Sequence, residues 1–123
     1  MNYGSCCGRW HAAFAAGQGL QAPDAEALMR SRYSAYVLDL LDYLRASWHA
    51  GTRPAALAAN EPGLRWMGLE VKKHLRQDDT HATVEFVARS KPIGGRAQRL
   101  HEISRFERVN GEWLYLDGEL EEA

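Results

Sequence analysis

The hydrophobic pattern of the chain changes its period at Gly63, and this change restricts the fold more than any other feature of the sequence. Between Leu28 and Trp48, apolar residues recur at three- and four-residue spacing, as on one face of a helix. After Gly63, apolar and polar residues alternate through several segments, as in strands with one buried face. Helices followed by strands predict an α+β fold with helices on one face of an antiparallel sheet.

The helical part is predicted to contain three helices. Asp24, which follows Pro23, is a suitable N-cap for the first helix. A bend near Leu38–Asp39 divides the long apolar stripe into two helices, and the alanine-rich segment 52–60 predicts a short third one. Residues 1–22 are glycine-rich, and we expect a loop or a short helix there.

Four long strands are predicted after Gly63. They occupy residues 64–76, 82–88, 96–109 and 112–118. Asn110-Gly111, between the last two, predicts a two-residue hairpin turn because both residue types tolerate positive φ. Twist accumulates along long strands, so we expect the sheet to curl and, once covered by helices, to enclose a cone-shaped hollow.

Composition restricts the class of protein. A chain of 123 residues is large enough for one domain with a full core. Its net charge of −1 argues against nucleic-acid and membrane partners, and no apolar run approaches the about 20 residues that span a bilayer. The two cysteines, Cys6 and Cys7, are adjacent, which excludes a disulfide framework and favours a reducing compartment. We therefore predict a cytoplasmic protein.

Several motifs spread over the chain occur in the order found in a known family. They are Met29–Tyr36, Asp42–Leu44 with Trp48–His49, Val84–Arg89, Leu100–Phe106 and Asp117–Gly118. In these motifs the chain resembles the bacterial YchJ family. The resemblance implies a nuclear-transport-factor-two-like (ketosteroid-isomerase-like) fold, in which N-terminal helices pack on a strongly curved four-stranded antiparallel sheet. It implies no activity, because the family is uncharacterised.

The same resemblance suggests a zinc-binding motif at the N-terminus. Members of the family often begin with a zinc knuckle like that of the SecA translocation ATPase, in which a Cys-x-Cys pair precedes a Cys-Cys or Cys-His pair. Residues 1–22 are interpreted as the remnant of this motif and a linker, and residues 23–123 as the cone-shaped domain. Cys6 and Cys7 would supply two of four zinc ligands, with His11 at best a third. We expect no cofactor in this chain, whereas a longer form could bind zinc.

Glu102 is the main candidate for chemistry. It shares one face of its strand with Leu100, Ser104 and Phe106. His101 takes the opposite face, so the neighbouring His and Glu do not form a catalytic pair. If the Glu102 face lines the hollow, apolar neighbours favour the uncharged carboxyl group, which suits a general acid or base. The alternative is a structural carboxylate tied to an arginine or to a tyrosine hydroxyl of the helices.

The hollow is predicted to be lined from both the helices and the sheet. The predicted lining residues are Tyr33, Tyr36, Trp66, Glu102, Ser104 and Phe106. Arg30 and Arg32 either aim donors into its mouth or lie at the surface as ordinary charges.

Three functions are compatible with this pattern. The first is a non-catalytic module that binds a small ligand or a protein and serves as an adaptor when joined to its zinc knuckle. The second is a lyase or isomerase in which Glu102 carries the proton and Tyr33 or Tyr36 polarises a substrate oxygen. The third is a homodimer through the open sheet face with His101 and Ile103, which also carries Arg105. We favour the module over an enzyme, because the sequence offers only one acid–base group.

Overall fold

Residues 7–121 are described by a computed structural model as three helices followed by four strands. The helices are α1 (Cys7–Ala15), α2 (Ala25–Val37) and α3 (Leu41–Ala46). The strands are β1 (Arg65–Arg76), β2 (His81–Lys91), β3 (Gln98–Val109) and β4 (Glu112–Leu120). Neighbouring strands pair antiparallel in the order β1-β2-β3-β4, and α2 packs against the sheet. The predicted α+β fold is confirmed.

Helix α2 begins and ends where the sequence predicts. Asp24 is its N-cap, and the Asp24 carboxylate accepts a hydrogen bond from the N–H of Ala27 at 2.7 Å. The helix ends at Val37, and the predicted bend is confirmed by Asp39, whose φ of 56° leaves the helical region. With 13 residues α2 is the longest helix, and none within residues 7–121 has the length and apolar character needed to cross a bilayer.

The predicted third helix at residues 52–60 is wrong, because this segment is irregular. A few alanines cannot offset the cost of starting a helix unless its face is packed. The segment is instead held by contacts to the turn after α2. The side-chain amide of Asn60 donates to the carbonyl of Tyr36 at 2.5 Å, and the backbone N–H of Asn60 donates to Asp39 Oδ1 at 2.9 Å.

The pairing of the strands is irregular at three positions. The pairing register shifts at Trp66–Gly68, at Val71–Lys73 and at Arg105–Phe106. Such bulges bend a strand and increase its twist. The predicted hairpin turn between β3 and β4 is confirmed, with φ of 51° at Asn110 and 82° at Gly111.

The main core lies between the N-terminal half of α2 and the inner face of the sheet. Leu28 is 0% exposed and belongs to one cluster with Val84, Phe106 and Trp113. Full burial of a leucine side chain contributes about 1.5–3 kcal/mol. Toward the C-terminal end of α2 this packing stops, and a hollow remains.

Candidate functional site

A cavity of about 290 Å³ lies between the C-terminal half of α2 and the inner face of the sheet. Most of its lining is apolar or aromatic and comes from α2 and all four strands. These residues are Met29, Tyr33, Tyr36, Trp66, Phe86, Ala88, Leu100 and Tyr115. Arg32, Glu102 and Ser104 complete the wall. Because ligand pockets hold about 300–1,000 Å³, this cavity suits only a compact molecule.

Five of the six predicted lining residues surround the cavity. They are Tyr33, Tyr36, Trp66, Glu102 and Ser104. Phe106 does not line it. This side chain is 1% exposed and packs edge-to-face on Tyr115, with ring centroids 5.8 Å apart. Phe106 lies further along β3, where the core cluster fills the space between α2 and the sheet.

Glu102 is fixed by two hydroxyl groups. Ser104 Oγ donates a short hydrogen bond to Glu102 Oε2, and the Tyr115 hydroxyl donates to the same atom at 3.3 Å. No hydrogen-bond donor in the described part of the chain contacts Oε1. The carboxylate therefore has one oxygen held by the protein and a second oxygen open to another donor.

Tyr115 is the partner of Glu102 that the sequence interpretation missed. Burial raises the pKa of the Tyr115 hydroxyl, and the nearby charge of Glu102 raises it further, so the phenol keeps its proton and donates. The hairpin turn contains the signal that could have found it. Counting back from Asn110-Gly111 pairs Tyr115 with Phe106, which places both side chains on the Glu102 face.

Gly118 leaves the space that the Glu102 side chain occupies. It pairs with Ser104 across β3 and β4. A Cβ at this position would overlap the carboxyl group of Glu102 and lie 2.9 Å from its Cγ, closer than side chains pack. The glycine of the Asp117-Gly118 motif is thus explained by the position of Glu102.

Arg32 is a buried cation in the cavity wall. It is 2% exposed, and its Nη1 donates to the carbonyl of Leu44 at 2.8 Å and to Ser47 Oγ at 2.7 Å. Its guanidinium lies 4.7 Å from the ring centroid of Tyr115 and 5.0 Å from that of Trp48. None of the ion pairs within residues 7–121 involves Arg32. Burial lowers the pKa of Arg32, and the nearby tyrosines act in the opposite direction.

The other predicted helix residues have different partners. Arg30 forms an exposed ion pair with Glu26 at 3.0 Å, so it lies at the surface and not at the cavity. Burial raises the pKa of Tyr33, and a hydrogen bond with the backbone of Gly68 acts in the opposite direction. The hydroxyl that reaches Glu102 is therefore that of Tyr115, not that of Tyr33.

The open face of the sheet is covered by charged pairs. His101 Nε2 lies 2.7 Å from Glu85 Oε2, and Arg105 Nε lies 2.5 Å from Asp117 Oδ1. Glu102 thus faces the cavity while His101 points to the other side, as the alternation along β3 predicts.

The predicted zinc ligands do not assemble into a metal site in the described part of the chain. Cys6 lies outside the described residues. Cys7 is buried at the start of α1, and His11 Nε2 lies 2.8 Å from the carbonyl of Ser31. Burial lowers the pKa of His11, with the hydrogen bond to Ser31 opposing it. Residues 7–121 contain no cluster of three or more His, Cys, Asp or Glu that could hold a metal.

Comparisons with known proteins cover nearly the whole chain. Residues 24–118 match the family described as "YchJ, middle NTF2-like domain". The chain is similar to a UPF0225 protein of Bordetella pertussis, with 58% identity over 118 residues (96% of this chain, 86% of the relative). It is also similar to a UPF0225 protein of Methylibium petroleiphilum, with 59% identity over 119 residues (97% and 83%).

Two solved structures are also similar to this chain. The solution structure of a SEC-C motif containing protein from Rhodopseudomonas palustris has a TM-score of 0.79 and 30% identity, covering 98% of this chain and 93% of that one. The crystal structure of a SEC-C motif containing protein from Psychrobacter arcticus has a TM-score of 0.78 and 30% identity, covering 100% and 75%. The similarity includes every element that lines the cavity.

Proposed function

This chain belongs to the YchJ family, and from this premise we propose that its NTF2-like domain is a non-catalytic module that holds a compact small ligand in the cavity between α2 and the sheet. The names of its UPF0225 relatives state no activity. The proposal therefore depends on the geometry of the cavity.

The observation that carries the proposal is the fixed position of Glu102. Ser104 and Tyr115 hold its Oε2, while Oε1 remains an open acceptor in a largely apolar and aromatic wall. Small-molecule sites combine such walls with a few fixed polar groups, because apolar burial supplies affinity and the polar groups supply orientation. A preorganised acceptor also lowers the entropy lost on binding.

Binding is favoured over proton transfer because Glu102 is the only carboxyl or imidazole group among the described residues that line the cavity. An isomerase would need a donor aimed at the substrate oxygen, but the Tyr115 hydroxyl donates to Glu102 itself. Arg32 cannot act as the missing acid–base group, because a guanidinium keeps its proton. The lyase or isomerase stays a prediction, and its test is that Glu102→Gln abolishes turnover while the melting temperature is nearly unchanged.

A thermal-shift screen against metabolites tests the proposed function. A ligand at 100 times its Kd stabilises the folded state by about 2.7 kcal/mol. Leu100 lines the cavity and is 40% exposed, so Leu100→Trp should narrow the cavity at little cost in stability. The control is Leu120→Trp, at an exposed position of β4 that does not line the cavity.

We expect a ligand found in this screen to stabilise the wild type and Leu120→Trp but not Leu100→Trp. Equal stabilisation of both variants would place the ligand elsewhere. A screen in which no compound stabilises the wild type would count against a small-ligand module.

Three further properties stay predictions. They are a protein partner for the adaptor, a cytoplasmic location and a homodimer through the open sheet face. For the dimer, Ile103→Glu should convert it to a monomer in sedimentation velocity, because this face would then bury an unpaired charge.

A further inference from the structure

The cavity wall combines aromatic rings with one open carboxylate oxygen, Glu102 Oε1, and both features attract a positively charged ligand. We infer that the cavity binds a small organic cation, an ammonium ion with an apolar or aromatic body, in preference to a neutral or anionic molecule of the same shape. This inference rests on the proposed function and specifies the class of ligand.

The aromatic part of the wall comes from several directions. Tyr33 and Trp66 have ring centroids 5.7 Å apart and planes inclined at 81°, and Tyr36 and Trp66 are 6.2 Å apart at 40°. Tyr115 adds a ring from β4. Aromatic rings from several elements thus line the cavity, and the electron-rich face of such a ring attracts a cation that has lost its water.

Glu102 supplies the matching negative charge. Its Oε2 is stabilised by two hydroxyl donors, so Oε1 can accept a charge-assisted hydrogen bond from an ammonium N–H. A neutral hydroxyl could fill the same position with a weaker bond. A carboxylate ligand would meet a like charge beside a largely apolar wall, where charge repulsion is stronger than in bulk water.

Arg32 opposes this preference but does not reverse it. Its charge is engaged by the polar atoms of Leu44 and Ser47 and by the rings of Tyr115, Trp48 and Tyr36. The guanidinium lies over the face of the Tyr115 ring, whereas Glu102 contacts the hydroxyl at the ring edge. An ammonium at Glu102 Oε1 would contact the carboxylate directly, whereas Arg32 forms no ion pair with Glu102 within 4.0 Å, and Coulomb attraction is strongest at contact distance.

Three probes of nearly the same shape test the inference on the full chain. They are 2-phenylethylamine, 2-phenylethanol and phenylacetate, titrated at neutral pH by calorimetry. The indole N–H resonance of Trp66, a residue of the cavity wall, reports the place of binding by NMR. We expect the amine to bind about tenfold more tightly than the alcohol and to shift the Trp66 resonance, with phenylacetate the weakest.

The variants Glu102→Gln and Glu119→Gln separate the contact from a general charge effect. Both remove one negative charge, but Glu119 lies at an exposed position of β4 and does not line the cavity. We expect Glu102→Gln to reduce the amine's preference to less than about threefold and Glu119→Gln to keep it. A preference that survives Glu102→Gln would overturn the role of Glu102.

The remaining outcomes distinguish this inference from the proposed function. Equal or tighter binding of the alcohol or phenylacetate at Trp66 would overturn cation selectivity and leave a small-ligand module in place. Amine binding that does not move the Trp66 resonance would place the site elsewhere. If none of the three probes binds, selection for an aryl-substituted ammonium is overturned, and the metabolite screen then decides the proposed function separately.

Discussion

The two ends of helix α2 cover the same sheet in different ways. At its N-terminal end, Leu28 packs in a filled core with Val84, Phe106 and Trp113, which we call the closed end. At its C-terminal end, the helix and sheet enclose the cavity with Arg32 and the other lining residues, which we call the open end. Strand β3 contributes to both ends, since it places Phe106 at the closed end and Ser104 and Glu102 at the open end.

The closed end therefore stabilises the fold, and the open end of the same helix–sheet pair offers the binding site. Filled apolar contacts stabilise the closed end, since close packing is where most of the folding energy of a small domain arises. The open end holds a buried cation and a carboxylate, which are costly to bury unless they are hydrogen-bonded. Such groups are kept in position by the rigid closed end and are available for a ligand.

Leu28→Ala should have the largest effect on stability, because it removes a fully buried side chain from the closed end. We expect a loss of about 2–5 kcal/mol in the free energy of unfolding, measured by urea titration. The control Leu38→Ala changes a leucine that is half exposed and should cost much less. A loss below about 1 kcal/mol for Leu28→Ala would mean that the closed end is not the main stabilising contact.

Arg32→Met tests whether the open end also contributes to stability. The variant leaves the carbonyl of Leu44 and the hydroxyl of Ser47 without their cationic donor. We expect a loss of about 1–3 kcal/mol, the cost of buried polar groups that lose a partner. Arg30→Met, two residues away on the surface, should stay within about 0.5 kcal/mol of the wild type. Equal stabilities of the two variants would contradict a structural role for the buried guanidinium.

Local patterns in the sequence predict what depends on neighbouring residues. Alternation along β3 is enough to place Glu102 and Ser104 on one face and His101 on the other. The Asn110-Gly111 turn fixes the pairing of β3 with β4 beside it, because the length of a hairpin turn sets the register of its strands. The alternation repeats every two residues, and the turn spans two residues. Both can therefore be predicted without knowledge of the rest of the fold.

The sequence interpretation failed where distant segments decide. Arg32 is buried because α3 and the residues after it cover the guanidinium, and Trp48 pairs with Tyr115 at the edge of β4. The side chain of Phe106 lies on the same face of β3 as Glu102, but its position along the strand places it in the core and not in the cavity. Which positions along β3 lie in the core depends on where α2 contacts the sheet, and no periodicity within β3 contains this information.

Gly118→Ala should affect the open end without a large change at the closed end. The added methyl group would overlap the Glu102 carboxyl group and move it away from Ser104 and Tyr115. We expect a loss of about 1 kcal/mol, the lower range for overpacking, and loss of binding of any ligand found in the screen. Glu119→Ala on the same strand is the control. A Gly118→Ala variant that binds normally would show that ligand binding does not need Glu102 in this position.

Asp78→Asn should have the smallest effect and should appear only in acid. Asp78 lies in the turn between β1 and β2, and its Oδ1 accepts the Thr80 N–H at 2.8 Å. This bond, together with the contact to His81, lowers the pKa of Asp78 from 3.8 to about 2. The unfolded chain therefore binds more protons at this site than the folded one, so the contribution is complete above pH 3.8 and is lost as pH falls toward about 2. Asp78→Asn should flatten the fall of unfolding free energy in this window, and Asp79→Asn, at a fully exposed neighbour, should not. If the two variants show the same acid dependence, the turn between β1 and β2 is not stabilised by this carboxylate.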